Sequence, residues 1–179
     1  MNKKFLITGD RKGIGRSLSE YYLSQGNIVI GCSRSGSDLE HNNYEHLICD
    51  VGDEKSVKSL ILHIRKKHKS IDILINNAGM ASMNHILTTP VSTFDKLVHT
   101  NLKGTFLFTR EASKIMRKKG GSIVNFSTVA SPLNLEGEAI YASTKAAVEK
   151  LTKISAYELS NYNIRVNCIG PTPVYTDLI

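Results

Sequence analysis

Cysteine is scarce, with 3 in 179 residues, and tryptophan is absent. The thiols of Cys32, Cys49 and Cys168 lie inside or beside apolar runs. Their spacing suits neither a metal ion nor a disulfide frame, so they are expected to be buried thiols of a reducing compartment. Long apolar runs are missing too. The opening MNKKFLI has the charge-then-apolar order of a signal peptide, but its apolar part is only Phe5-Leu6-Ile7. That is too short for a signal core, and no stretch is long enough to span a bilayer. A cytoplasmic protein with no membrane partner is expected. Aromatics are 7% of the chain and nowhere alternate with basic residues as a base-stacking platform requires. The net charge of +7 therefore does not point to nucleic acid. Its clusters, Lys66-Lys67 with Lys69 and Arg117-Lys118-Lys119, stand where helices would end and complement the helix dipole there. The 6 histidines show no ligand spacing and no carboxylate partner, so no metal site is expected.

What is present is an ordinary globular composition, 41% apolar and 22% charged, in one domain spanning residues 1–179. Short apolar runs alternate with helix-period segments. Strands are predicted over 4–8, 28–33, 46–49, 71–76, 122–127 and 164–169. Helices are predicted over 14–25, 54–67, 91–119 (as two, broken near 101–104) and 138–161. The second shows its period in Val57, Leu60, Ile61 and Ile64. Gly26 is placed to end the first helix and Pro90 to open the third. No repeat, low-complexity tract or linker interrupts the series. Strand–helix alternation with apolar strands implies an α/β fold: a doubly wound parallel sheet of the Rossmann type, covered on both faces in three layers. Ligands of such sheets bind at the carboxyl ends of the strands, beside the first one.

There the sequence reads TGDRKGIG, from Thr8 to Gly15. Glycines after a first strand let the chain turn tightly and let a pyrophosphate approach bare backbone, with the N–H groups of the helix start as donors. The spacing of Gly9, Gly13 and Gly15 is neither the common dinucleotide pattern nor an ATPase phosphate loop. The second strand ends in Ser33-Arg34, where an NAD site would carry a carboxylate for the ribose hydroxyls. Arg34 and Lys12 can clamp a 2′-phosphate from two sides, so NADP is the expected cofactor, with NAD possible.

Five motifs in order make the chain resemble the short-chain dehydrogenase/reductase family along essentially its whole length, nearest its 3-oxoacyl-carrier-protein reductase branch. They are the glycine loop, Asp50-Val51, Asn76-Asn77-Ala78-Gly79, Asn101 in TNLKG, and Tyr141 with Lys145 in YASTK. The resemblance implies that Thr8, Gly9, Arg11, Lys12, Gly13, Ile14, Gly15, Ser33, Arg34, Asp50, Val51, Asn77, Ala78 and Gly79 hold the cofactor. Tyr141, Lys145, Pro171, Thr172 and Thr176 do so at its nicotinamide end. It implies oxidoreduction of a small ketone or secondary alcohol.

Tyr141 and Lys145 are four apart on one helix face, so an ammonium can lower the phenol from its usual ~10 and make it a proton donor. A hydroxyl from Thr128 or Ser127 would polarise the substrate oxygen, Thr128 occupying the usual slot and Ser127 preceding it. Asn101 would hold a water in a proton relay. Glu136 and Glu138, ahead of Tyr141, are expected to be solvated loop acids rather than to line the mouth, and His85, in the loop after Gly79, is the one histidine within reach of a substrate. Two departures accompany the match: Thr172 replaces a usual glycine after Pro171, and the family's usual last strand and helix are lacking. An incomplete chain is expected on that ground, as is a homodimer through the helices carrying Asn101 and Tyr141. The rival expectation is a sensor that binds the dinucleotide and turns nothing over; a methyltransferase fits less well, since its second strand would end in an acid.

Overall fold

The computed structural model describes residues 2–174 of the chain. Six strands, β1 (Lys4–Thr8), β2 (Ile28–Ser33), β3 (Tyr44–Ile48), β4 (Ile73–Asn76), β5 (Gly121–Phe126) and β6 (Ile164–Ile169), form one sheet in the order β3-β2-β1-β4-β5-β6. Every neighbouring pair is parallel. The order reverses between β1 and β4, so the loops leaving these strands part and open a crevice.

Neighbouring residues on a strand feed opposite faces, as the pleat dictates. Phe5 and Ile7 of β1 join Val29 and Ile75 in one cluster, covered by Leu23 of α1 (Gly13–Ser24). Leu6 joins Ile30, Leu74 and Ile123 in the other. There Val57, Leu60, Ile61 and Ile64 of α2 (Glu54–His68) pack beside Leu107, Phe108 and Met116 of α4 (Gly104–Met116). Ala156 and Leu159 of α5 (Ala139–Leu159) close the same face. Each large side chain so buried contributes about 1.5–3 kcal/mol. The three-layer doubly wound domain is the one the sequence implies.

Local signals set the ends. Asp53 caps α2 by accepting from the Ser56 N–H at 2.7 Å. After α1, Gly26 adopts φ +74°, and the N–H groups of Gly26 and Asn27 return to the carbonyls of Leu23 and Tyr22. That pattern satisfies two of the last carbonyls and stops the helix. Boundaries shift by one to three residues at several elements, and three of the differences bear on the core or the site. β3 begins at Tyr44, so His46 lies inside it. β4 begins at Ile73, because Ile71 is buried in the core ahead of the ladder. Residues 91–119 do not break. α3 (Val91–Leu97) runs into α4 through a π-helical turn, Val98–Lys103, which absorbs extra residues without ending the helix. Among the described residues, no helix is long and apolar enough to cross a membrane.

The expectation that no histidine has a carboxylate partner is corrected. Glu45 on the edge strand β3 binds His63 at 2.8 Å, Lys67 at 3.0 Å and His68 at 2.7 Å. Burial pushes its carboxyl up, but the bonds from His68, Lys67 and His63 outweigh this and hold it at about 2, against 4.5 when unperturbed. A carboxyl depressed on folding stabilises fully above its unfolded value and less as pH falls toward the folded one. Stability is therefore expected to drop between pH 4.5 and about 2, and Glu45→Gln to flatten that drop in urea titrations at pH 7 and pH 3. An unchanged acid limb in Glu45→Gln would refute this assignment.

Candidate active site

The crevice is built from bare backbone. Gly9 (φ +69°) turns the chain out of β1, and a Cβ on Gly15 would stand 2.3 Å from the Gly9 oxygen and 2.5 Å from Asn77 Nδ2. Only glycine lets α1 start this close to the turn. The N-cap of α1, Lys12, makes no side-chain capping bond, so the first N–H groups and the positive end of the dipole favour an anion. Asn77 Nδ2 donates to the carbonyls of Thr8 (2.9 Å) and Gly9 (3.1 Å), and the Ala78 N–H donates to Thr8 Oγ1 at 2.9 Å. The turns after β1 and β4 are thereby joined.

A cleft of about 320 Å³ runs along these turns. Gly9, Arg11, Lys12, Gly13 and Ile14 line one part, Ser33 and Arg34 another, Asp50 and Val51 a third, and Asn77, Ala78 and Gly79 the last. Arg11, Lys12 and Arg34 are exposed and make it basic. Residues not anticipated also line it: Cys32, Ser35, Cys49, Met80 and Thr100. Thr8 and Gly15 are buried and do not line it. Asp50 accepts from the Gly52 N–H at 2.9 Å and pairs with His99 Nε2 at 3.1 Å, a second histidine–carboxylate contact across 49 positions. Cys32 and Cys49 are buried as expected, while Cys168 is only partly so.

Tyr141 and Lys145 stand one turn apart on α5, beyond Gly79. A Cβ on Gly79 would lie 3.4 Å from Lys145 Nζ and 3.5 Å from Asn101 Oδ1, which places both groups against this end of the cleft. Lys145 is buried; its Nζ donates to the Phe126 carbonyl at 2.9 Å and sits 5.9 Å from the Tyr141 ring centre. Burial lowers the ammonium to about 8. The Tyr141 phenol is pushed up, chiefly by burial and also by Glu138, while the Thr128 hydroxyl pulls it down. The expected lowering by Lys145 is thus not found in this geometry, because the ammonium is held at a backbone carbonyl and faces the ring.

The two candidate hydroxyls have different neighbours. Ser127 is buried and donates to Glu149 Oε1 at 2.5 Å. Thr128 Oγ1 accepts from the Ala130 N–H at 3.2 Å and meets the phenol. Thr128 is the one beside Tyr141. Asn101, in the π-helical turn, is 1% exposed. Its amide donates to Met80 O (2.9 Å) and Thr144 Oγ1 (3.1 Å) and accepts from the Met80 N–H (2.9 Å). Both amide hydrogens are thereby spent, and Thr105 Oγ1 donates to the Asn101 main-chain carbonyl at 2.7 Å, each of the two oxygens keeping a second lone pair. The Pro171 carbonyl accepts from the Val129 N–H, beside Thr128. Thr172 is exposed, and neither residue lines the cleft; Thr176 lies outside the described residues. His85 Nδ1 accepts from the Leu87 N–H at the start of the 3-10 turn Ile86–Thr88. Glu136 is exposed.

Sequence reading missed the support beneath the site. Asn76 Nδ2 donates to Thr109 Oγ1 and Asn125 Oδ1, and Asn125 Nδ2 donates to Thr152 Oγ1. Two asparagines inside apolar strands were the available signal, since a buried amide needs partners.

Comparison with known proteins adds a separate finding. A family model described as short chain dehydrogenase matches residues 3–179. A 3-oxoacyl-(acyl-carrier-protein) reductase from Staphylococcus aureus is 32% identical over 189 aligned positions, covering 99% of this chain and 77% of that protein. Carbonyl reductase (NADPH) 2 of Sus scrofa is 35% identical, over 96% of this chain and 71% of its own. The structure of ElxO with NADP bound superposes with a TM-score of 0.93 at 33% identity, covering 99% of this chain and 76% of that one.

Proposed function

The chain belongs to the short-chain dehydrogenase family, a class of NAD(P)-dependent oxidoreductases, and from that premise we propose that it exchanges hydride between NADP and a small ketone or secondary alcohol. One observation carries the reading: the Tyr141 phenol, the Thr128 hydroxyl and Lys145 gather beyond Gly79, the residue through which they adjoin a cleft lined by Arg11, Lys12 and Arg34. The cleft fits a dinucleotide, because its wall at Gly9 and Gly13 is bare backbone and the start of α1 lies beside Arg11 and Lys12.

When bound, the nicotinamide supplies or accepts the hydride. Everything else falls to the chain. Thr128 accepts from the Ala130 N–H, and its O–H, now shared with the Tyr141 phenol, turns to the substrate carbonyl, where negative charge builds during reduction. Tyr141, held protonated by burial, delivers the proton to that oxygen. Lys145 supplies positive charge facing the Tyr141 ring and orients the ribose end of the cofactor. Asn101 fixes Met80 and Thr144, and so holds the wall after β4 against α5.

The pH dependence follows from the two shifts. Lys145 is charged below about 8 and loses its proton above it, whereas Tyr141 stays protonated beyond its ordinary 10. The kcat/KM for reduction is expected to fall above pH 8; a profile flat to pH 10 would remove Lys145 from the mechanism.

NADP is preferred over NAD because Arg34 stands where a carboxylate would repel a 2′-phosphate. The Sus scrofa relative's name and the ElxO structure agree with that choice. Arg34→Asp is expected to weaken NADPH by about 10- to 100-fold in a fluorescence titration and NADH far less. Equal losses would overturn the preference. A homodimer through the helices carrying Asn101 and Tyr141 belongs to the same reading; the groove between α4 and α5 exposes Phe106 and Tyr162 for a second copy. So does a cytoplasmic location.

A further inference from the structure

An acidic side chain lies buried beneath the basic part of the cleft. Asp10, inside the glycine turn, is 0% exposed. Its Oδ2 accepts from the Tyr44 hydroxyl and faces His46 Nδ1 at 3.2 Å, while its Oδ1 has no hydrogen-bond partner among the described residues. The position is made for this carboxylate: a Cβ on Gly31 would stand 1.6 Å from Asp10 Oδ2. Bare backbone in the middle of β2 is what admits it.

His46 carries the connection outward. Its Nε2 lies 2.9 Å from the Ser35 carbonyl and 3.3 Å from Ser33 Oγ, which itself donates to Ser35 O at 2.5 Å. Tyr44 Oη, 3.1 Å from Nδ1, spends its proton on Asp10. The two ring nitrogens thus tie Asp10 on one side to the Ser35 carbonyl on the other. Tyr44 also reaches the Ser37 hydroxyl, and Arg16 of α1 binds Asp38. The loop after β2 is thus held from below at residues 33, 35, 37 and 38. Arg34 lies between two held positions and lines the cleft.

We propose that His46, anchored on Asp10 and Tyr44, is a positioning residue for cofactor choice: it fixes the Ser33–Ser35 backbone so that Arg34 meets a 2′-phosphate. The proposal rests on the NADP reading above and goes beyond it, since none of these three side chains lines the cleft. The selectivity for the phosphorylated dinucleotide is set one layer below the contact.

The test uses adenosine 2′,5′-bisphosphate and adenosine 5′-monophosphate as calorimetric ligands, which report the adenine end without turnover. NADPH and NADH titrations run in parallel. His46→Gln is expected to weaken the bisphosphate about 10-fold while leaving the monophosphate within about 2-fold. Tyr44→Phe, which removes one hydroxyl from the anchor, is expected to shift the ratio the same way by a smaller factor. It decides the matter if His46→Gln fails to fold. Equal weakening of both ligands, or an unchanged ratio, makes His46 merely structural and overturns the proposal. Arg34→Ala separates the two readings. If it leaves the ratio untouched, the NADP reading falls; if it abolishes the ratio while His46→Gln and Tyr44→Phe do not, only the positioning role falls.

Discussion

Tyr141→Phe is expected to lower kcat for ketone reduction by about 10²- to 10⁴-fold, with NADPH affinity unchanged within about twofold. The substitution removes one oxygen and leaves the ring that Lys145 faces, so the packing of α5 against the cleft is retained. Among the described residues Thr128 bonds the phenol's hydroxyl, and burial keeps its proton in place. What disappears is the proton donor. Stopped-flow binding and steady-state turnover on the same preparation separate the two effects. Retained turnover would show that another group protonates the substrate oxygen. Loss of binding together with turnover would show that the hydroxyl serves the cofactor rather than the reaction.

Gly15→Ala carries the largest expected structural effect. Inside α1, alanine gains about 1 kcal/mol of helix propensity over glycine. Against that, its Cβ meets the Gly9 oxygen at 2.3 Å and Asn77 Nδ2 at 2.5 Å. Backbone cannot swing aside as a flexible side chain can, and crowding of this kind costs about 1–3 kcal/mol or more. A drop in Tm of roughly 5–10 °C is expected, with loss of NADPH binding because α1 must back away from the turn. Gly26→Ala is the control, since a Cβ there has nothing within 4 Å and only the φ of +74° is strained. If Gly15→Ala costs no more than Gly26→Ala, close approach is not what requires the glycine.

Much of this was legible in the sequence because the signals were local. Val57, Leu60, Ile61 and Ile64 form a buried stripe wherever α2 lands, and the apolar runs of β1, β2 and β6 end at polar or turn residues. The glycine loop and the Tyr141–Lys145 pair were equally readable, each being a short pattern with its own chemistry. Boundaries slipped where tertiary contacts overrode the pattern: Ile71 is apolar but serves the core, with Asp72 bonding Lys4 before the ladder begins. The π-helical turn at Asn101 was seen only as an interruption. The histidine contacts were out of reach for a plainer reason. Glu45 meets His63 and His68, Asp50 meets His99 and Asp10 meets His46 only once strands and helices are stacked. No spacing rule links residues so far apart. The choice between Ser127 and Thr128 likewise depended on which hydroxyl Glu149 captures.

The bonds from Asn77 and Ala78 to Thr8 and Gly9 make two distant stretches of chain into one mechanical part. Anyone grafting the opening loop onto a different protein must move the fourth-strand corner with it, because either half alone would arrive with its partner's hydrogen bonds unmade. Recombination between relatives meets the same limit: a crossover falling between these segments joins halves shaped against other mates.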